Sequence, residues 1–353
     1  MISYFLGANS PLGFYSLYDH LIDLDRAEAV YILKGGPGCG KSTFLRRVAG
    51  AAEKSGLAVE YIRCSGDPDS LDAVVIPDRG IALADGTAPH IMEPRLPGAV
   101  DHYIDLGVCY DSTALAPLRH ELLHTTQEYK NCYERAYRCL SAAADVERDC
   151  RCLPDLTRLD QTVARRLKGI LAREFRTAPA PQSSEKKRFL SAVTCKGHLC
   201  LWETVQAQCP RVYVLEDSFG LSDRFLLPLY NAARAIGFSA VVCPSPMDPD
   251  RLEHLLFPDL GLAFVTSSPE LPYSGKVHRR IHLDSMIPSD SLRLCRPRLR
   301  FARKVSSSLL GEAVSSLKEA KTIHDRLEAL YNPHVDFALG TSMADKLIQT
   351  LAF

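Results

Sequence analysis

Residues 29–43 read Ala-Val-Tyr-Ile-Leu-Lys-Gly-Gly-Pro-Gly-Cys-Gly-Lys-Ser-Thr, and they carry the most specific signal in the chain. The apolar run 29–34 predicts a short buried strand. It leads into a glycine-rich segment that matches the pattern GxxxxGK(S/T). Residues 44–49 then continue with helical periodicity. Strand, loop and helix therefore follow one another in the order that a phosphate-binding loop (P-loop) requires.

Each part of this loop has a physical role in holding a nucleotide. Its glycines let the backbone turn several N–H groups inward at a phosphate, and the following helix adds its positive end. Lys41 can reach the β- and γ-phosphates, and the Ser42 hydroxyl can ligate Mg²⁺. The predicted nucleotide-binding residues are Gly35, Gly36, Pro37, Gly38, Cys39, Gly40, Lys41, Ser42 and Thr43.

The chain is predicted to be a tandem duplication, because its two halves match in register. The strand Val30–Leu33 corresponds to Val212–Leu215, and Asp67-Pro-Asp69 corresponds to Asp248-Pro-Asp250. We therefore expect an α/β fold with two P-loop NTPase-like domains. Each would be a mostly parallel sheet flanked by helices, with a helical-hairpin extension.

The predicted domain limits follow from the repeat. The first domain covers residues 1–175, a Pro/Ser-rich linker covers 176–187, and the second domain covers 188–353. Helical periodicity predicts the extensions at 113–149, 157–175, about 303–331 and about 338–353. They either pack on their own domain or its twin, or form a lid or partner arm that carries Arg165 and Arg166 towards phosphate. The second alternative allows a protein partner or self-association through these helices.

The second half has lost the nucleotide motif. Its loop is Asp217-Ser-Phe-Gly-Leu-Ser-Asp-Arg224, in which Asp223 is predicted to replace Lys41 and Asp217 the first glycine. Carboxylates at these positions repel phosphate, and the turn has lost most of its inward-facing N–H geometry. The sequence therefore predicts one nucleotide site per chain and a non-catalytic C-terminal half.

Asp85 is the predicted partner of Lys41. Residues 80–85 form an apolar run that ends in this acid, which is typical of a Walker B strand. The second half has Thr266 at the matching position, so lysine and acid are lost together. We predict that Lys41 and Asp85 are catalytic and that Ser42 and Asp85 ligate Mg²⁺. The alternative is that Asp85 is an exposed residue opening a turn.

Other polar residues of the first half give weaker signals. Asp67 and Asp69 keep acidic counterparts in the second half, so we interpret them as turn or helix-cap residues. His90 has no counterpart and could orient a water or substrate. Because it is a single histidine in a proline-rich loop, we expect it to be exposed.

Composition excludes several classes of protein. Lys+Arg and Asp+Glu both number 42, so there is no overall basic character to indicate nucleic acid or an anionic membrane. No apolar run reaches the roughly 18 residues of a membrane span, and the start lacks a signal peptide, so we expect a cytoplasmic chain. The twelve cysteines lack zinc-ribbon spacing. They predict buried free thiols and no structural metal.

Three segments carry a resemblance to a known family. They are FLGANSPLGFYSLYDH at 5–20, YILKGGPGCGKSTFLRRV at 31–48 and DGTAPH-x-x-EP-x-x-PGAVD at 85–101. The chain resembles, over essentially its whole length, a family of bacterial tandem P-loop ATPases. Members are described only generically, as ATP-binding proteins or nucleotide kinases, so the resemblance implies ATP and Mg²⁺ but no substrate. Members can carry a second Walker A loop, from which residues 217–224 depart.

The leading prediction for function is a Mg-dependent ATPase with one active site in the N-terminal half. One alternative is a kinase that transfers the γ-phosphate to a nucleotide or other small molecule bound by the 85–101 loop. Another is a nucleotide-gated interaction protein with negligible turnover, in which ATP sets the angle between the halves. No NKxD-like guanine motif follows the loop, which favours adenine over guanine.

Overall fold

The computed structural model describes residues 1–151, 156–176 and 184–353. Within them the chain is α/β, with two mixed six-stranded sheets flanked by helices. The strands of the first half are β1 (Ile2–Tyr4), β2 (Gly7–Ser10), β3 (Gly13–Ser16), β4 (Ala29–Lys34), β5 (Glu60–Arg63), β6 (Leu71–Ile76), β7 (Ile81–Asp85) and β8 (Asp101–Asp105). Those of the second half are β9 (Glu185–Lys187), β10 (Ser191–Thr194), β11 (Gly197–Cys200), β12 (Arg211–Glu216), β13 (Ala240–Ser245), β14 (Asp248–Phe257), β15 (Leu262–Ser267) and β16 (Arg279–His282).

The helices agree with most of the predicted spans. They are α1 (Lys41–Lys54), α2 (Ser112–Leu115), α3 (Arg119–Arg151), α4 (Thr157–Glu174), α5 (Trp202–Gln208), α6 (Asp223–Ala235), α7 (Ser289–Tyr331) and α8 (Phe337–Leu351). The predicted strand at 29–34 is β4, and the predicted helix at 157–175 is α4. Helix α7 begins at Ser289, well before the expected start near 303. Among the described residues, no helix combines the length and apolar character needed to span a bilayer.

The two sheets have the same strand order. The first runs β1-β5-β6-β7-β4-β8, and the second runs β9-β13-β14-β15-β12-β16. In the first sheet β4 lies between β7 and β8 and is parallel to both, whereas β6 is antiparallel to β5 and β7. The carboxyl ends of β4 and β7 therefore lie together at one edge, where the glycine-rich loop and Asp85 follow.

One hydrophobic core is shared by the two halves. The backbones of Phe5 and Phe189 exchange two hydrogen bonds of 2.9 Å, and both side chains are fully buried. Around them pack apolar residues from both halves, including Tyr4, Leu6 and Leu190. Burial of this apolar surface stabilises the two halves as one unit.

The helical extensions are exchanged between the halves. The apolar face of α4, which includes Leu159 and Val163, packs with Phe225 of α6 against the second sheet. In the opposite direction, Ala344 and Leu351 of α8 pack against α1 of the first half. Helices α3 and α7 lie against each other between these ends. The last helix of each extension, α4 or α8, therefore packs on the other half of the chain instead of on its own.

Two sequence predictions can be compared with this arrangement: the lid that carries Arg165 and Arg166, and the linker at 176–187. Arg165 and Arg166 are exposed on α4, which covers the second half, so α4 is not a lid over the first loop. In the predicted linker 176–187, residues 177–183 lie outside the described residues. The last residues of that segment form β9, which pairs with β13. The second sheet thus begins before residue 188.

Candidate functional site

The glycine-rich loop joins β4 to α1 at the carboxyl edge of the first sheet. Gly38 and Gly40 have φ angles of 73° and 85°, in the left-handed region that residues with a Cβ enter at a cost. Because α1 begins directly after Gly40, the N–H groups of its first turn have no carbonyl partner within the helix. The loop thus offers backbone donors and the positive end of a helix dipole to an anion.

Lys41 and Asp85 lie side by side at this edge. Lys41 Nζ is 3.6 Å from Asp85 Oδ2, and the two side chains are 13% and 14% exposed. The same ammonium group donates to the carbonyl oxygens of Gly35, at 2.7 Å, and Gly36, at 2.8 Å. Lys41 therefore folds back over the loop, and the sequence prediction that it meets Asp85 is consistent with this geometry.

The two predicted Mg²⁺ ligands, Ser42 and Asp85, each accept a hydrogen bond from a backbone N–H group. Asp85 Oδ1 accepts a hydrogen bond of 2.8 Å from the Thr87 N–H. Asp85 therefore also opens a turn, as the alternative interpretation of this residue expected. The Ser42 hydroxyl oxygen accepts a 3.1 Å hydrogen bond from the N–H of Leu71 in β6. Ser42 and Asp85 offer oxygen ligands of the kind that Mg²⁺ prefers.

Residues from the far end of the chain cover the loop. A Cβ at Gly38 would lie 2.7 Å from Asn332 Oδ1 and 3.4 Å from Tyr331 Cβ. With its amide oriented to donate, Asn332 hydrogen-bonds to the Gly38 carbonyl oxygen at 3.2 Å. Phe337, which begins α8, lies 3.7 Å from the corresponding position of Gly40. We call residues 328–337, where α7 ends and α8 begins, the α7–α8 corner.

Tyr110 holds the loop from the other side. Its hydroxyl donates a 2.8 Å hydrogen bond to the Pro37 carbonyl oxygen, and its ring lies 5.4 Å from the ring of Tyr331. Beside these two rings an open groove of about 460 Å³ is lined also by Gly107 and Arg119. The loop therefore has an aromatic, partly open flank.

In the second half a carboxylate occupies the equivalent turn. Asp217 is buried, and it accepts hydrogen bonds from the N–H groups of Phe219, at 3.0 Å, and Ser222, at 2.6 Å. Burial raises the pKa of Asp217, and these N–H donors act in the opposite direction. The N–H groups that could bind a phosphate in this turn are therefore already hydrogen-bonded to Asp217.

Two features align this loop with the first in different ways. Six residues separate the strand from the helix in both halves, so Asp223 begins α6 as Lys41 begins α1, in agreement with the predicted replacement. Asp223 Oδ1 also accepts a 2.8 Å hydrogen bond from the Leu252 N–H, as Ser42 does from Leu71. In either alignment an acidic residue stands where the first loop has Lys41 or Ser42.

The prediction that His90 is exposed was wrong. His90 is 6% exposed, and its Nε2 lies 3.3 Å from Oδ2 of Asp72, which is 4% exposed. Cys64 and Tyr18 adjoin the same carboxylate. No sequence signal identified this buried group, because antiparallel pairing of β5, β6 and β7 brings together residues that are distant in the chain.

The acidic residues interpreted as turn residues behave as expected. The Asp69 N–H donates a 3.2 Å hydrogen bond to Asp67 Oδ1, which closes the turn before β6. Lys321 also lies 3.4 Å from Asp67, and Lys196 forms an ion pair with the exposed Asp69. Both carboxylates are therefore occupied in structural contacts.

Comparison of the chain with protein-family models, curated proteins and solved structures found no match. An ammonium, a carboxylate, a hydroxyl and a helix N-terminus converge on one glycine-rich loop. Such a set can bind a polyphosphate together with a divalent cation.

Proposed function

We propose that the chain binds ATP at the loop Gly35–Thr43 and hydrolyses it in a Mg-dependent reaction at one site in the N-terminal half. The observation that carries this proposal is the Lys41–Asp85 pair, 3.6 Å apart and largely withdrawn from solvent. In a site with reduced access to water, charge interactions are stronger than in bulk solvent. A lysine held over a glycine-rich loop suits the negative charge of phosphate.

Each group of the site has its own role in the proposed reaction. The N–H groups of the loop and the first turn of α1 hold the phosphates in place. Lys41 exchanges its contacts with Gly35 and Gly36 for the β- and γ-phosphate oxygens, and so stabilises charge that develops in the transition state. Ser42 and Asp85 would hold Mg²⁺, whose role is to neutralise phosphate charge.

The flank formed by Tyr110 and Tyr331 suits the base. Both rings border the groove beside the loop, and aromatic faces stack readily on a purine. A base bound on this flank would lie at the open side, with its phosphates towards the strand edge.

We further infer that the fold is a duplicated P-loop NTPase with a degenerate second copy. The identical strand orders support this inference. So does the reciprocal pairing of Phe5 with Phe189. Each begins a Phe-Leu pair just before the first hairpin of its half, and equivalent residues meet at a two-fold axis. Asp217 fills the second turn with its own negative charge, which supports a non-catalytic role for that half.

A second candidate function, a nucleotide-gated interaction protein, is favoured by the α7–α8 corner. This corner belongs to the second half of the chain and touches Gly38 and Gly40 of the loop. A nucleotide entering the loop would meet those contacts, and so would act on the long α3–α7 pair. A nucleotide can shift such an arrangement only by binding one form more tightly.

The test is a calorimetric titration of the full chain with a non-hydrolysable ATP analogue and Mg²⁺. We expect one site per chain, and Lys41→Ala should abolish detectable binding while the circular dichroism spectrum stays unchanged. Lys54→Ala, at the exposed end of α1, is the control and should bind as the parent does. Two sites, or unchanged binding by Lys41→Ala, would contradict the proposal.

Turnover separates the two candidate functions. With ATP and Mg²⁺ alone, an ATPase should release ADP continuously, whereas a switch should bind without turnover. Addition of a metabolite pool then shows whether an acceptor is needed, as it would be for a kinase.

A further inference from the structure

A second buried group of polar side chains lies beside the proposed nucleotide site and has no part in it. Cys64 follows β5, Asp72 lies in β6, and His90 lies in the loop between β7 and β8. Each offers one ligand atom, and the three atoms lie within 4.8 Å of one another.

Two polar atoms of this group lack an aligned partner in the described part of the chain. Asp72 Oδ2 and His90 Nδ1 are buried without one, and the Tyr18 hydroxyl and the Cys64 thiol lie beside the Asp72 carboxylate. Asp72 Oδ2 is within ion-pair distance of His90 Nε2, but the two groups are not aligned as a hydrogen bond. A buried carboxylate oxygen without an aligned partner is costly, and a cation held between Asp72 Oδ2 and His90 Nε2 would remove that cost.

We propose that Cys64, Asp72 and His90 form a binding site for a transition-metal ion of the Zn²⁺ type. One thiolate, one imidazole and one carboxylate form a ligand set that Zn²⁺ accepts, with a fourth position left open. His90 Nε2 and Asp72 Oδ2 are 3.3 Å apart. Two ligand atoms bound at about 2.0 Å to a tetrahedral ion are separated by about the same distance.

The second half offers an internal comparison. Glu253 occupies the place of Asp72. Asp72 comes one residue before Ala73, which pairs with Ala84 across β6 and β7, and Glu253 comes one residue before His254, which pairs with Val265 across β14 and β15. Glu253 accepts a hydrogen bond there from the Ser191 hydroxyl, and His254 Nε2 lies 3.3 Å from its carboxylate. The position of Cys64 is taken by Ser245. The carboxylate of Glu253 is thus engaged by a hydroxyl, whereas Asp72 Oδ2 has no aligned partner among the residues that the structure describes.

Metal binding is balanced by the loss of a proton. Cys64 is a free cysteine, and a free thiol must lose its proton to become a metal ligand. When the ion binds, the S–H bond breaks, a metal–sulfur bond forms and the proton passes to solvent. The bound ion would tie the 85–101 loop, through His90, to β5 and β6.

The test uses the chelator-treated full chain titrated with Co²⁺ alone, without nucleotide. We expect one Co²⁺ per chain, a tetrahedral visible spectrum and a thiolate-to-cobalt charge-transfer band, all removed by one equivalent of Zn²⁺ but not by excess Mg²⁺. Absence of stoichiometric binding, or binding without the charge-transfer band, would overturn the proposal.

Variants locate the ion. Cys64→Ala should lose the charge-transfer band, and His90→Ala should weaken Co²⁺ binding by roughly tenfold or more. Cys209→Ala, at another buried thiol, is the matched control and should keep the spectrum. X-ray absorption of the Zn²⁺-loaded parent should show one sulfur ligand, which answers the question even if a variant fails to fold. Asp85→Asn should keep the cobalt spectrum, which separates this site from the proposed nucleotide site.

Discussion

Lys41 and Asp85 have different roles in the proposed reaction, and substitution of Asp85 separates them. Asp85→Asn keeps the volume of the side chain and removes its charge, so nucleotide should still bind through the loop and Lys41. Turnover should fall at least tenfold, because metal-assisted charge stabilisation contributes several kcal/mol to the transition state. Steady-state ADP release, together with analogue binding, measures both properties.

Asp67 and Asp69 provide the controls for Asp85. Both lie near the same strand edge, but their carboxylates are held by a turn and by lysines. Asn at either position should change stability by about 1 kcal/mol at most and leave turnover per folded molecule unaltered. If either proved essential while Asp85 did not, the metal ligand would lie before β6.

Glu60 and Arg188 form a buried ion pair that joins the halves. Arg188 Nε lies 2.5 Å from Glu60 Oε1, and Arg188 also donates to the Leu21 carbonyl oxygen. Burial alone would raise the pKa of Glu60, but Arg188 and Lys186 outweigh it and hold that pKa low. The stabilisation is therefore present above the unfolded-state pKa and is lost as pH falls through the folded-state value.

Arg188→Met should accordingly destabilise the chain by about 3–5 kcal/mol at neutral pH, because it leaves a buried carboxylate without its main partner. The difference from the parent should shrink on acidification, as Glu60 becomes protonated. Urea unfolding at several pH values measures this. Arg47→Met breaks the exposed pair with Asp345 and should have a much smaller effect. A penalty that is independent of pH would contradict the assignment to Glu60.

Single residues differ in how far sequence predicts them. Lys41 was identifiable because a contiguous motif fixes its surroundings, and Asp85 because it ends an apolar strand. His90 and Asp72 were not, because their meeting depends on the antiparallel pairing of β6 with β7. A histidine in a proline-rich loop carries no local sign of burial.

At the scale of elements, the α7–α8 corner is the contact most open to test. Asn332→Ala removes the hydrogen bond to the Gly38 carbonyl oxygen and leaves the loop less ordered. Analogue affinity should fall several-fold, in keeping with about 1 kcal/mol for one hydrogen bond. Asn131→Ala, at an exposed position of α3, is the control and should not change affinity. Tighter binding by Asn332→Ala would mean that the corner opposes the nucleotide instead of preparing its site.

Helical periodicity predicted elements better than it predicted their neighbours. Leu159, Val163 and Leu167 marked an apolar face on α4, and that face is buried. Periodicity reports that a face must be covered, but not which surface covers it. The exchange of α4 and α8 therefore could not be read from either helix.

At the scale of the whole molecule, the shared core and the exchanged helices make each half dependent on the other. Residues 1–176 alone would expose the face of α1 that α8 covers, the apolar face of α4, and one side of the core around Phe5. Exposed apolar surface costs about 25 cal/mol per Å². A domain has only roughly 5–15 kcal/mol of net stability to lose.

We therefore expect that neither residues 1–176 nor residues 184–353 fold when produced alone, and that co-expression restores a folded 1:1 complex. Circular dichroism and thermal melting should show a cooperative transition only for the complex, and size-exclusion chromatography should show both fragments together. The co-expressed pair is its own control, because the chain is cut at the same place in every sample. A cooperative melt of either fragment alone would show that this half has enough buried apolar surface to fold by itself. The exchanged helix of the other half would then not be required for its stability.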